Sequence, residues 1–437
     1  MPRAPALEPA AAGRLLGRAL FLGAAFLMVA GDWPPAAVPG SRWLFPLRAL
    51  AWPWLYIALF AASFAVLAWA GGLGVRARTR FDVLRPALAV VTVAFLLSAA
   101  FSQVPSLSWP ALACFVGVVG FALAAAQVVE DEATATATSL VVAAAALCLA
   151  VRVIAWRLDE GLAVPAFHVR NNAWLGKLQL AAVLSLVGPL LLARFLAVRQ
   201  PAVAALHGVG WVLGGAALQL LHARTASVAF ALTTVVLCAL NPAYRRRWVV
   251  VLLTLLAVAL AVAALAPATF LELAASLLRF PHDAGIGMRW DVWRETLAMI
   301  ADHPITGIGL GTYDDVAYTQ YGTSGERHFF RNGWHAHNVI LHVLAETGVV
   351  GLLAWGYVWY VLVRLLVRTW RHGDAQVRLH ATAALGVVVA FFVLSLTEDL
   401  IASRVHASLR MSLTLGLLLA CGVRQASRPG PAAPGPV

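Results

Sequence analysis

The residues best suited to chemistry gather in the run Trp334-His335-Ala336-His337-Asn338, which continues through His342 to Glu346-Thr347-Gly348. Asn338 is a good N-cap and Gly348 a good stop, so the spacing predicts a short helix over 339–347. His337 then sits just ahead of a helix N-terminus, where the positive end of the dipole favours a neutral imidazole and attracts phosphate oxygens. A neutral histidine facing a bound phosphate is placed to take a proton from an attacking hydroxyl. The plainer alternatives are a capping or interfacial histidine, and His-X-His is also a metal pair elsewhere. The reading adopted is a general base or substrate contact at His337, with His335 and His342 in support.

Two arginines complete the candidate set. Arg224 stands in His222-Ala223-Arg224-Thr225-Ala226-Ser227, between two closely spaced apolar runs that must form a tight hairpin. Small and hydroxyl neighbours permit close helix packing there, and a guanidinium can clamp a diphosphate through paired hydrogen bonds. Its ordinary alternative is an arginine that snorkels to the headgroups. Arg289 and Arg294 lie five positions apart on a predicted amphipathic helix, so they should not share a face. Arg289 is taken as facing the site and Arg294 as facing solvent or Glu295. A lower tier holds Arg170, Asn171, Asn172 and Lys177, together with Glu398, Asp399 and Arg404.

Two motifs are set aside. Gly307-Ile308-Gly309-Leu310-Gly311 looks like a phosphate loop, but it follows a helix and precedes none, so the dinucleotide reading fails. Asp314-Asp315 resembles a metal-binding acidic pair yet stands alone, since the first outer loop offers only Asp32. A site rich in arginine and poor in carboxylate is expected to neutralise phosphate with side chains, with no metal and no cofactor.

The elements that must carry these residues are membrane spans. Of 437 residues, 61% are hydrophobic and only 12% charged, which excludes an ordinary soluble enzyme or a disordered chain. Mean hydropathy is +0.82. Twelve apolar runs approach the roughly 20 residues needed to cross a bilayer. They lie near 14–30, 51–70, 83–101, 108–128, 135–155, 174–193, 202–221, 225–241, 248–266, 349–369, 379–397 and 407–423. The first is read as a retained signal-anchor. Residues 1–266 thus hold spans one to nine, 267–336 a long outer loop with the amphipathic helix, 337–426 the short helix and spans ten to twelve, and 427–437 a disordered tail. The amphipathic helix is read from Trp290, Trp293, Leu297 and Ile300 at helical spacing, and the aromatic stretch 312–334 is a candidate sugar-stacking surface.

The net charge of +12 is almost all arginine, with Lys177 the only lysine. No soluble basic domain exists to bind nucleic acid, so the charge is read as topological. Counting Lys and Arg with the N-terminus inside puts 18 on the cytoplasmic flanks against 9 on the short outer connections and helix ends. Both termini are therefore expected in the cytoplasm. The four cysteines fall in apolar runs without metal or disulfide spacing.

Three of these segments, in order, resemble the bacterial O-antigen ligase/polymerase superfamily of membrane glycosyltransferases. They are Arg224 in its Thr/Ser hairpin, Arg289 through Pro304 to Gly309, and His337-Asn338 leading to Leu341, Glu346 and Gly348. The resemblance covers roughly residues 205–400, and the ligases are the nearest branch. Ala223 departs from the pattern, since many relatives have Ser or Thr there. The resemblance implies an all-α, GT-C-like polytopic fold of about twelve spans in the bacterial inner membrane, with a periplasmic active site. It implies transfer of O-antigen from undecaprenyl diphosphate to lipid A-core, with inversion and without metal. Arg224 and Arg289 would bind the diphosphate, His337 would act as the base, and Asn338, His335, Arg170 and Lys177 would support them. Expected partners are the two glycolipids and membrane lipids, with the protein a monomer that binds no nucleic acid. An O-antigen polymerase, or a transporter or flippase of an anionic lipid or solute, is the alternative.

Overall fold

A computed structural model describes residues 8–30, 53–74, 79–160, 174–221, 223–265, 284–321, 335–397 and 406–426, with isolated positions 267, 271 and 275. Among these residues the regular structure is helical throughout. The membrane-type helices are α1 (Pro9–Ala30), α2 (Pro53–Trp69), α3 (Arg85–Ala100), α4 (Pro105–Val128), α5 (Glu132–Glu160), α6 (Trp174–Ala197), α7 (Pro201–Leu220), α8 (Arg224–Ala239) and α9 (Arg245–Leu265). Then come α10 (Ala284–Asp302), the single turn α11 (Tyr313–Val316), α12 (Val339–His372), α13 (Ala375–Ser395) and α14 (His406–Ala426).

Each apolar run read from the sequence carries a helix. Nine helices among the described residues are long and apolar enough to cross a membrane. Leu55–Trp69 and Arg224–Ala239 are shorter apolar helices, and α14 carries Arg410 and Arg424 near its ends. The protein is thus a multi-pass membrane protein, all-helical among the described residues.

Local sequence explains where the helices begin. Proline occupies the first turn of α3, α4 and α7, where its missing N–H costs nothing. Asp374 accepts the Val377 amide at 2.8 Å to start α13. At the start of α5, the Thr134 amide and hydroxyl hold Asp131 at 2.9 and 2.7 Å, which keeps that carboxyl below its ordinary range.

Among the nine long spans the most enclosed are α6 and α13, which pack on each other and on α8 and the equally buried α14. Small residues let α8 sit close to its neighbours. The Phe230 ring lies against Gly188 of α6 and Gly215 of α7 and stacks on Trp211 at 5.3 Å, so no side chain fits at either glycine without displacing it. At the far end of α1, Arg410 donates to the carbonyls of Met28 and Val29 at 2.6 and 2.8 Å, and Arg152 donates to Ala30 at 2.6 Å. Those cations satisfy the open carbonyls and oppose the negative end of the helix dipole.

Candidate active site

Six residues into α8, the Phe230 ring packs this helix against α6 and α7. Arg224 is the first residue of α8, half-buried, and Ala223 supplies no side-chain cap. Next to it, Thr225 Oγ1 accepts a hydrogen bond from Thr397 Oγ1 at 2.9 Å. Thr397 follows the last turn of α13, and its carbonyl accepts from Arg289 Nη2 at 3.3 Å. Thr397 therefore touches both Arg289 and the turn that bears Arg224.

Arg289, Trp293 and Thr296 occupy one face of α10, at i, i+4 and i+7. Trp293 Nε1 donates to the Ala336 carbonyl at 2.8 Å, which fastens α10 to the histidine segment. Thr296 shares a 2.6 Å hydrogen bond with the Tyr313 hydroxyl. Arg294 points away, with a side chain 82% exposed and Asp291 at 3.8 Å. The expected apolar stripe is only partly the packed one. Val292, Thr296 and Met299 are buried, whereas Trp290 and Leu297 are exposed. Hydrophobic periodicity marks an apolar stripe without showing which of its members a neighbouring element covers.

In the histidine segment, Asn338 Oδ1 accepts the amides of Ile340 and Leu341 at 3.0 and 3.1 Å and starts α12. His337 has φ of 48°, the one left-handed residue other than glycine among those described. Such a backbone costs about 1–3 kcal/mol and persists where its surroundings enforce it, often at functional positions. Its ring lies 4.4 Å from that of His335, and both side chains are half-buried. Gly348, with φ of 61° and ψ of −169°, breaks α12 into the short helix and the long one.

His342 and Glu346 are both buried. Their side chains pair at 3.4 Å, and Glu346 Oε1 also accepts the Tyr313 amide at 3.1 Å. The glycine-rich loop wraps around this same turn. Ile308 and Gly309 donate to the carbonyls of Ala345 and Glu346 at 2.9 and 3.0 Å, and Ser98 Oγ adds a bond to Glu346 O at 2.8 Å. A Cβ at Gly307 would strike the Glu346 backbone, so the glycines serve close backbone packing. Within the aromatic stretch, Tyr313 is buried and Tyr321 is tied to Asp302 at 2.7 Å, while Tyr318 is exposed. Burial and that carboxylate push the Tyr321 phenol up to about 12.

Arg170, Asn171, Asn172, Glu398, Asp399, Arg404 and residues 322–334 lie outside the described residues, as does the side chain of Lys177. The residues not foreseen are Thr397 and, in its linking role, Trp293. Trp293 was legible as part of an amphipathic helix, but a lone threonine after an apolar run carries no signal.

Residues 209–356 match the model of the O-antigen ligase family. The likeness to that family extends over this region. It runs from α7 through the first part of α12 and contains Arg224, Arg289, His337 and Asn338. Thr397 lies beyond the matched ligase segment. A search of curated proteins finds no match.

Proposed function

We propose that the protein is an O-antigen ligase of the bacterial inner membrane, acting at the periplasmic ends of its helices. The observation that supports this reading is the shared contact at Thr397, which joins Arg289 to the turn bearing Arg224, on a helix that Trp293 ties to the histidine segment. Arg224 and Arg289 hold the diphosphate of an undecaprenyl-linked glycan. His337 accepts the proton of a lipid A-core hydroxyl as its oxygen attacks the anomeric carbon. The bond from that carbon to the diphosphate oxygen breaks on the opposite side, so the configuration inverts and undecaprenyl diphosphate departs.

Negative charge grows on the leaving diphosphate, so cations held in place beforehand stabilise the transition state more than the ground state. The bond that breaks is the glycosyl ester to the diphosphate, and its cleavage carries the driving force, so no nucleotide is needed. Twelve spans, with both termini in the cytoplasm, would place all three groups on the outer side.

The test mixes purified protein with undecaprenyl diphosphate-linked O-antigen and lipid A-core, without ATP or added metal, and separates the products on a gel. Core lipid shifted upward by glycan is the expected result. Longer undecaprenyl-linked chains with untouched core would indicate a polymerase, and no product from folded protein would favour a transporter.

A further inference from the structure

Two contacts of Thr397 point in different directions, and its hydroxyl, nearer to Thr225, also lies 3.4 Å from the Leu394 carbonyl. The Thr397 carbonyl receives Arg289 Nη2 at 3.3 Å, and the hydroxyl donates to Thr225 Oγ1 at 2.9 Å. The turn itself is closed by its own amide, which bonds to the Leu394 carbonyl at 3.2 Å. The backbone of this turn sets the direction of the Thr397 carbonyl, and the hydroxyl bond to Thr225 anchors the turn against α8. An arginine side chain is long and samples many rotamers, and a diphosphate clamp works best when that freedom is removed before substrate arrives.

We infer that Thr397 is a positioning residue that registers Arg289 of α10 against the Arg224 turn of α8. The inference rests on the ligase reading above. Thr397 acts through the two arginine-bearing elements and need not touch the donor. Its hydroxyl sets the distance between two cations that come from segments far apart in the chain. The effect should therefore appear in donor affinity more than in acceptor affinity.

The experiment compares Thr397→Val, Thr397→Ser, Thr225→Val and the double valine variant in the glycan-transfer assay, with donor KM, acceptor KM and kcat measured separately. Thr397→Val should raise donor KM about threefold to tenfold, the range expected for one lost hydrogen bond. Acceptor KM should not move, and Thr397→Ser should restore the donor KM. Thr225→Val should match Thr397→Val, with the double variant no worse than either, because both remove the same bond. A wild-type donor KM in Thr397→Val, or effects that simply add, would overturn the inference. A fall in thermal midpoint without a change in donor KM would also overturn it.

A wild-type protein that transfers no glycan would remove the ligase reading but still leave the tie open to measurement. Amide hydrogen exchange across 289–293 should be faster in Thr397→Val than in wild type, and equal exchange would defeat the inference by itself.

Discussion

Trp293 Nε1 donates to the Ala336 carbonyl at 2.8 Å, so the helix that carries Arg289 also holds the backbone beside His337. Arg289 and Trp293 are one turn apart on α10. A single rigid element thus spans the two halves of the proposed site, with an anion-binding cation at one turn and a support for the histidine at the next.

Trp293→Phe keeps an aromatic ring, though a smaller one, but removes the donor and leaves the buried Ala336 carbonyl without it. The expected result is a kcat about tenfold lower with donor KM little changed, since the loss falls on the histidine side. Steady-state kinetics check it, and a raised donor KM at normal kcat would contradict the assignment.

The break at Gly348 gives a stability prediction. A Cβ there would collide with the Ile305 carbonyl, and its φ of 61° is strained for any residue with a side chain. Gly348→Ala should cost about 2 kcal/mol or more, read as a lowered thermal midpoint in detergent. A midpoint equal to wild type would mean that the glycine-rich loop does not pack on α12 as described.

How much of this was legible in the sequence follows from what each signal measures. Asn338 and Gly348 carry their roles in their own chemistry, as a cap and a left-handed stop, and both sit where the spacing put them. Arg289 was separated from Arg294 by helical geometry alone, and the exposure of Arg294 agrees with that separation. The packed face of α10 was not legible, because Trp290 and Leu297 are as apolar as the residues that are buried. The partners of Arg289 were not legible either, since Thr397 lies more than a hundred residues away and only the fold brings it near.

Alkaline pH should expose the Tyr321–Asp302 contact. The phenol is raised from 10.0 to about 12 by burial first and then by the Asp302 carboxylate. A raised value means that the folded state holds its proton more tightly than the unfolded state. The contribution to stability is therefore full below about 10 and is lost as pH climbs through about 12. Wild type should lose thermal midpoint over this window more steeply than Tyr321→Phe. Parallel curves for the two proteins would show that the phenol is not held in this way.

The central claim is that His337 does the proton transfer while the arginines hold the donor. The most direct measurement is single-turnover glycan transfer by His337→Gln, with binding of undecaprenyl diphosphate followed in the same preparation. Loss of the proton acceptor should lower the transfer rate about a hundredfold or more while binding stays near wild type. Transfer at the wild-type rate by a folded His337→Gln protein would contradict the account.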